Sequence, residues 1–244
     1  MQVVILAGGL ATRLGSIAEH APKSMINIEG HPFIAYQLSL LKRFGASKVL
    51  LCVGHLGDQV RSYVGDGSKF GLAVSYSDEG PHLLGTAGAL KNAEHLLETE
   101  FALVYGDSYF VLPIADIWAR FKESKALGMM VVLKNKDMYG PSNSAVESGL
   151  VTDYAKGADN KSFEYIDFGF VCLTRSTLSS IPMGVPTDLS VLFSELVGKR
   201  QLLAHEVFQR FHEIGSTKGI MEFREFVKAS GPESLLWSLA PGGS

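Results

Sequence analysis

Residues 3–13 read VVILAGGLATR, and this stretch sets the fold expected for the chain. Val3 to Ala7 is a short apolar run rich in β-branched residues, which predicts a buried strand. Gly8 and Gly9 follow it and allow the backbone to come close to a ligand, with successive amides directed at anionic oxygens. A strand that ends in such a loop is typical of α/β sheets, where ligands bind beyond the carboxyl ends of the strands.

The same alternation continues outward from this stretch. Further strands are predicted at residues 48–53, 72–76, 101–105 and 129–133, and helices at 32–44, 58–64, 86–97 and 114–127. Strands that alternate with helices over short links predict a Rossmann-like, doubly wound α/β fold with a mostly parallel sheet. Gly8-Gly9 and Gly106-Asp107 each follow a predicted strand, so we expect them to face one crevice.

The pattern changes in the later part of the chain. Residues 149–154 and 165–173 predict strands without a clear helix between them. A helix at 188–197, strands near 203–207 and 210–214, and a helix at 218–227 follow. This order predicts a smaller mixed α+β region. We expect the end of the chain, from Ala240 to Ser244, to be loose.

Composition argues against several classes of protein. The chain has 244 residues and a formal net charge of −3, so no large basic surface for nucleic acid is expected. No apolar stretch reaches the roughly 18 residues that a membrane span needs, and the first residues do not resemble a secretory signal. Cys52 and Cys172 lie in apolar runs, which predicts buried, reduced thiols. We therefore expect a cytoplasmic protein without a membrane partner.

Two cations accompany the glycine loop. Arg13 offers a planar fork of donors suited to phosphate, and Lys23, held beside Pro22, offers a point charge. The loop fits neither common phosphate motif, because Gly8 and Gly9 are adjacent and no Gly-Lys-Ser/Thr follows. The alternative is a plain strand-to-helix turn with two exposed cations. Since the glycines and both cations occur together, we favour a phosphate site.

The stretch from Leu6 to Leu14, followed by Pro22-Lys23-Ser24-Met25, resembles the paired motifs of the sugar-1-phosphate nucleotidyltransferase family. Further segments resemble the same family, and together they spread over most of residues 1–227. These segments are Leu84 to Leu90, Tyr105-Gly106-Asp107 and His212 to Ser216. Two positions depart from the family pattern: Ala11 stands where glycine is usual, and Ser24 where a second proline is common.

The resemblance implies a reaction in which a sugar 1-phosphate attacks the α-phosphorus of a nucleoside triphosphate and releases pyrophosphate. Arg13 would stabilise the departing pyrophosphate, and Lys23 would neutralise charge near the α-phosphate. Glu79 offers a carboxylate to the base, or is an ordinary surface residue. The remaining nucleotide contacts implied are Leu6, Ala7, Gly8, Gly9, Thr12, Gly85, Thr86 and Gly88. The alternative for Gly85-Thr86 is a helix start capped by Thr86.

Asp107 and Glu213 are the candidate metal ligands. Magnesium usually takes one or two carboxylates together with substrate phosphates, so the resemblance implies Mg²⁺ as the cofactor. The alternative for Asp107 is a turn residue that caps Ser108. Glu213 departs from the family, which commonly has Asp there, but the longer side chain can still reach.

The sugar-binding residues implied are Tyr139, Gly140, Lys156 and Asp167. Asp167 lies within an apolar strand, where an unpaired carboxylate would be costly, so either a sugar hydroxyl pair or a backbone hydrogen bond is expected to satisfy it. Asp188 is interpreted as a helix cap rather than a sugar ligand.

The resemblance implies a single domain over residues 1–240 and a tail at 229–244. Residues 1–135 would bind the nucleotide, and residues 136–228 would hold the sugar phosphate and metal. We rank GTP with a heptose 1-phosphate first, ahead of uridylyl or cytidylyl transfer to a hexose or N-acetylmuramate 1-phosphate. A non-catalytic nucleotide-sugar sensor and a molybdopterin-type guanylyltransferase rank behind these. The expected partners are the NTP and the sugar 1-phosphate, with a homo-oligomer left open.

Overall fold

The computed structural model describes residues 1–9, 21–80, 82–156 and 163–236. In this part of the chain the strands are β1 (Gln2–Leu6), β2 (Asn27–Ile28), β3 (His31–Pro32), β4 (Lys48–Val53), β5 (Ala73–Asp78), β6 (Glu100–Tyr105), β7 (Ser108–Tyr109), β8 (Gly128–Lys134), β9 (Ser144–Glu147), β10 (Leu150–Tyr154), β11 (Tyr165–Thr174), β12 (Leu202–Val207) and β13 (His212–Glu213). The α-helices are α1 (Phe33–Arg43), α2 (Gly57–Val64), α3 (Gly85–Asn92), α4 (Ile114–Ser124), α5 (Leu189–Gly198), α6 (Thr217–Ser230) and α7 (Pro232–Leu235). The end expected to be loose, Ala240 to Ser244, lies outside the described residues.

The chain divides into two compact units that interleave along the sequence. The first is built from Met1–Leu83, Tyr105–Ile114 and Phe211–Ser244, and the second from Leu84–Val104 and Ala115–Arg210. These units are defined by how the segments of the chain pack together, not by what they bind. The functional parts expected at 1–135 and 136–228 stay predictions.

The first unit contains three parallel strands in the order β5-β4-β1. Val4 lies opposite Leu50, and Leu50 lies opposite Ser75. Strands β1 and β4 are almost wholly buried, as their apolar sequences predict. Because the strands are parallel, their carboxyl ends lie at one edge, where the chain continues into Ala7, Gly54 and Glu79.

Helices α1 and α6 pack together in the first unit through aromatic rings. Phe223 of α6 meets Phe33 and Tyr36 of α1 edge to face, with ring centroids 5.2 Å and 5.7 Å apart. Aromatic pairs at such distances stabilise a core beyond the area they bury. Helix α1 begins after Pro32, whose extended backbone and fixed φ suit the start of a helix, and is followed by Gly45 at φ +92°.

The second unit contains a mixed sheet in the order β6-β11-β8-β12-β10-β9. Strand β11 runs antiparallel to both β6 and β8, whereas β12 runs parallel to β8. The mostly parallel pairing expected from the sequence therefore holds for the three strands of the first unit but not for the second. A parallel neighbour needs a crossover, usually a helix, and the described residues between β8 and β11 contain none.

Both cysteines are buried in strands, as predicted, and both are free thiols. Burial, with a smaller contribution from Glu79, raises the pKa of the Cys52 thiol to about 12. Over the ranges that the structure describes, no helix combines the length and hydropathy of a membrane span. Helix α3 ends at Asn92, earlier than predicted, and a 3₁₀ turn at Glu94–Leu96 follows it.

Candidate active site

Gly106 lies against the end of β1 in the first unit. A Cβ on Gly106 would lie 2.2 Å from the carbonyl oxygen of Leu6 and 3.1 Å from the Cα of Ala7. No side chain fits there, so glycine is required for the turn to approach the strand so closely. The Gly106 turn therefore lies at the carboxyl end of β1, directly before Gly8, whereas the expectation that Gly8-Gly9 and Gly106-Asp107 face one crevice stays a prediction.

Asp107 lies in the turn between β6 and β7, and a small antiparallel ladder brings Glu213 towards it. Strand β13 pairs with β7, with Glu213 opposite Ser108, and the amide of Ile214 donates to the carbonyl of Asp107 over 2.9 Å. One carboxylate oxygen of Glu213 and one of Asp107 lie 3.0 Å and 3.3 Å from the position that a Cβ would occupy on Gly215. The two candidate ligands thus face the same small volume.

Lys23 joins this pair of carboxylates. Its Nζ donates to Oδ2 of Asp107 over 3.0 Å, and the two side chains are 21% and 30% exposed. Lys23 opens a one-turn 3₁₀ helix, Lys23–Met25, directly after Pro22 in extended conformation. The proline fixes the entry of this turn and so helps to orient the lysine.

The donor chemistry of this cluster fits magnesium. Asp107 and Glu213 supply two hard oxygen donors, and Mg²⁺ typically binds one or two carboxylates while keeping water and phosphate ligands. Within the described ranges no group of three or more His, Cys, Asp or Glu side chains could hold a metal ion. Two carboxylates would leave the other coordination positions of a Mg²⁺ ion to water and to substrate phosphates.

Glu79 lies over Gly8. A Cβ on Gly8 would lie 2.4 Å from Oε1 of Glu79, and the amide of Glu79 donates to the carbonyl of Val53 over 3.0 Å. The start of the first loop and this carboxylate are therefore adjacent, and their shared role in nucleotide binding stays a prediction. Ala11, Thr12 and Arg13 lie outside the described residues, and their roles stay predictions.

In the second unit, Gly85, Thr86 and Gly88 all contact the segment that leads into α5. Gly85 has φ +71°, and a Cβ there would lie 2.6 Å from the carbonyl oxygen of Thr187. The amides of Ala87 and Gly88 donate to that same oxygen over 2.9 Å and 3.1 Å. These two amides at the start of α3 therefore already donate to Thr187.

Thr86 does not cap its own helix. Its hydroxyl donates to Oδ2 of Asp188 over 3.2 Å and accepts from the amide of Leu189 over 2.8 Å. Asp188 caps α5 by accepting from the amide of Ser190 over 2.9 Å, which confirms the cap interpretation. Burial raises the pKa of Asp188, but the hydrogen bonds from Ser190 and the charge of Lys156 outweigh burial and leave the pKa below its ordinary value.

The predicted sugar-binding residues have well-defined surroundings in the second unit. Lys156 Nζ lies 3.5 Å from Oδ2 of Asp188. Asp167 is buried, accepts from the amide of Gly169 over 2.9 Å, and accepts from the hydroxyl of Tyr154 over 3.4 Å. The backbone hydrogen bond that could satisfy Asp167 therefore exists, and a carboxylate has further acceptor sites for a ligand.

Tyr139 and Gly140 lie in a loop that Asn135 holds. Tyr139 is half exposed beneath the guanidinium of Arg210, at 5.0 Å from the ring centroid, and Gly140 has φ +145°. Asn135 donates to the Gly140 carbonyl over 2.7 Å and accepts from the Tyr139 amide over 2.9 Å.

The sequence interpretation missed Asn135 and also Gln37, a buried amide within the apolar helix α1. A polar residue between apolar neighbours was the available signal in Gln37.

Comparison with known proteins identifies the family. A family model described as nucleotidyl transferase matches residues 2–149. The chain belongs to the nucleotidyl transferase family. Lys23, Glu79 and Asp107 fall within the matched part of this nucleotidyl transferase, and Glu213 lies beyond it.

The individual relatives differ in the base that they are named for. The D-glycero-alpha-D-manno-heptose 1-phosphate guanylyltransferase of Campylobacter jejuni is 30% identical over 183 residues, which cover 75% of this chain and 80% of that protein. The UTP–glucose-1-phosphate uridylyltransferase of Synechocystis is 28% identical over 214 residues, covering 81% of this chain and 55% of that protein. The crystal structure of HddC from Yersinia pseudotuberculosis has a TM-score of 0.78 at 23% identity, covering 92% of this chain and 98% of that chain. The fold and family are thus those of sugar-1-phosphate nucleotidyltransferases.

Proposed function

We propose that this nucleotidyl transferase moves a guanylyl group from GTP to a heptose 1-phosphate, with Mg²⁺ as cofactor. The observation that carries the proposal is the convergence of Lys23, Asp107 and Glu213 beside the end of β1. A cation and two carboxylates arranged in this way suit in-line transfer at phosphorus, which depends on positioning and charge neutralisation more than on covalent catalysis.

In the proposed reaction an oxygen of the sugar phosphate attacks the α-phosphorus of GTP. A new P–O bond forms, the bond between the α-phosphorus and the bridging oxygen breaks, and pyrophosphate leaves with the electron pair. Asp107 and Glu213 would hold Mg²⁺, which when bound neutralises phosphate charge. Lys23 would stabilise negative charge on the α-phosphate, and Arg13 would stabilise it on the departing pyrophosphate. Such donors typically contribute ~3–4 kcal/mol each in the transition state.

Glu79 supports the choice of guanine. A carboxylate only accepts hydrogen bonds, and the Watson–Crick edge of guanine offers two neighbouring donors, N1–H and N2–H. Uracil offers one donor between two acceptors, and cytosine offers a donor beside an acceptor. Each of these bases would therefore direct an acceptor atom at the carboxylate, which repels it. The position of Glu79 over Gly8 places this acceptor at the loop proposed to hold the nucleotide.

The heptose 1-phosphate is proposed from two supports. The Campylobacter relative is named for this substrate and aligns over most of both chains. In the second unit, Tyr139, Gly140, Lys156 and Asp167 combine an aromatic face, an ammonium and a buried carboxylate, which are groups that bind a phosphorylated sugar. The cytoplasm, where NTPs and Mg²⁺ are abundant, is the proposed setting.

The experiment that tests the proposal is a substrate panel. Purified protein with Mg²⁺ would be incubated with GTP, UTP, CTP, ATP or dTTP and a set of sugar 1-phosphates, and pyrophosphate release would be measured. We expect release with GTP and a heptose 1-phosphate. Release with UTP and a hexose or N-acetylmuramate 1-phosphate instead would overturn the substrate assignment. Binding of nucleotide sugars without any release would support the sensor.

A further inference from the structure

Gln37 of helix α1 is a buried amide that grips the turn carrying Asp107. The residue is 1% exposed. Its Nε2 donates to the carbonyl of Tyr105 over 3.0 Å and to the carbonyl of Ser108 over 2.8 Å. A primary amide has two N–H donors, so both are used. The two acceptors bracket Gly106-Asp107, and one side-chain group therefore closes this turn from outside.

The chemistry of the contact is specific to an amide of this length. Both partners are carbonyl oxygens, which can only accept, so a carboxylate at the same position would repel them. An apolar side chain would remove the amide that donates to both carbonyls, and a buried acceptor that loses its donor, as at Ser108, costs about 1–3 kcal/mol. Asparagine is one methylene shorter, so its amide would reach the two carbonyls less closely.

Packing alone does not account for the glutamine. Among the described residues, Oε1 of Gln37 is buried without a hydrogen-bond partner, and such a group lowers stability. The neighbours Tyr36 and Leu38 are buried, so the position lies in the apolar core, and filling space there does not by itself require an amide. The two hydrogen bonds that Nε2 donates to backbone carbonyls explain why a buried amide stands here despite this cost.

The backbone of Asp107 is fixed at three points. Gln37 binds the carbonyls on either side of the turn, the amide of Ile214 donates to the carbonyl of Asp107, and Gly106 abuts Leu6. These anchors hold the carboxylate towards Lys23 and Glu213. We propose that Gln37 is a positioning residue that sets the Asp107 carboxylate for metal binding, an inference that rests on the proposed function of Asp107.

The test compares Gln37→Met with Leu41→Ala. Methionine matches glutamine in length but lacks the donors, and Leu41 is a fully buried apolar residue of the same helix. Mn²⁺ is the probe, with affinity measured by electron paramagnetic resonance alongside thermal unfolding. We expect Gln37→Met to weaken Mn²⁺ binding by about 10–100-fold, as other groups that orient metal ligands do. Leu41→Ala should lower the unfolding temperature without changing Mn²⁺ affinity.

Steady-state kinetics with the NTP that the wild type uses provide a second readout. Gln37→Met should lower kcat and raise the Mg²⁺ concentration needed for half-maximal rate, while the KM for NTP at saturating Mg²⁺ stays near the wild-type value. Gln37→Asn keeps the amide, so its Mn²⁺ affinity and kcat should fall between those of the wild type and Gln37→Met. This variant provides the test if Gln37→Met does not fold. Wild-type Mn²⁺ affinity in folded variants would overturn the inference.

The outcomes separate this inference from the proposed function. One outcome is that the wild type binds Mn²⁺ but releases no pyrophosphate, and that Asp107→Asn loses this binding, so that Asp107 is shown to be the ligand. The proposed function then fails, and the positioning role is still decided by the Gln37 variants. Turnover in the wild type with unaltered Mn²⁺ binding in Gln37→Met would remove the positioning role alone.

Discussion

Lys23 and Asp107 are 84 positions apart in the sequence, yet the lysine Nζ lies 3.0 Å from the aspartate Oδ2. Both side chains are partly buried, so water screens the pair less than it would at the surface. The pair links the segment after the first loop to the turn after β6. It also means that a cation on Asp107 and the Lys23 ammonium compete for one oxygen.

Lys23→Met should therefore separate charge neutralisation from metal binding. We expect kcat to fall by about 10²–10³, because a pre-placed cation is lost from the transition state. Mn²⁺ affinity should stay the same or increase, since Asp107 Oδ2 is released from the ammonium. Lys228→Met is the control, because the exposed Lys228, in the same unit, pairs with Glu29 at 3.5 Å. Weaker Mn²⁺ binding in Lys23→Met would contradict the competition.

Asp107→Asn should abolish turnover and leave the fold intact. The change keeps the shape of the side chain and the backbone hydrogen bond to Ile214, but it removes the charge that would bind Mg²⁺. The measurements are thermal unfolding and pyrophosphate release over a range of Mg²⁺ concentrations wider than about 100-fold, because an indirect effect on the site is expected to lower metal affinity by about 10–100-fold. Near-normal activity in a folded Asp107→Asn protein would show that Asp107 is not a metal ligand.

Glu213 is the second proposed metal ligand, and the length of its side chain can be tested directly. Glu213→Gln should raise the Mg²⁺ concentration for half-maximal rate by about 10-fold or more, whereas Glu213→Asp should keep part of the affinity. The Ser216 hydroxyl lies 3.4 Å from Oε1 of Glu213 and supports this carboxylate. Glu222→Gln on helix α6 is the matched control. An unchanged Mg²⁺ dependence in Glu213→Gln would exclude Glu213 from the metal site.

Glu79→Gln should reduce the preference for GTP. A glutamine presents a donor where guanine also presents one, so we expect kcat/KM for GTP to fall by about 10–100-fold, the range for a hydrogen bond to a charged group. The rate with UTP should change less or increase. Asp78→Asn is the neighbouring control, since Asp78 is exposed and pairs with Arg61 at 3.3 Å. A GTP-to-UTP ratio equal to that of the wild type would remove Glu79 from base recognition.

Local patterns in the sequence predict one part of the site. Val3 to Ala7 is apolar and β-branched, so its strand is visible without a structure. Lys23 can be identified because it follows Pro22 in a motif, and Asp107 because it comes directly after a predicted strand. These residues can therefore be assigned to the site before any contact between them is known.

The remaining features depend on contacts between distant segments. The two-residue pairing of β7 with β13 joins positions far apart in the sequence, and no local pattern indicates it. The antiparallel placement of β11 agrees with the lack of a crossover helix among the described residues between β8 and β11, and the composition of β11 itself does not indicate it. In the sequence, Gln37 is only one polar residue within an apolar helix. Its role cannot be recognised there, because it depends on hydrogen bonds to two backbone carbonyls elsewhere in the chain.

Gly106 and Gly9 should respond to alanine in opposite ways. A Cβ on Gly106 would lie 2.2 Å from the backbone oxygen of Leu6, which cannot move aside as a side chain can, so we expect a loss of about 1–3 kcal/mol in unfolding free energy. The displaced turn should also lower kcat. At Gly9 no described atom lies within 4 Å of the added Cβ, so stability should stay near the wild-type value. Because Gly9 is proposed to let the backbone approach the triphosphate, Gly9→Ala should instead raise the KM for NTP. Equal stability losses in the two variants, measured by denaturant unfolding, would show that the close packing at Gly106 is not what requires glycine there.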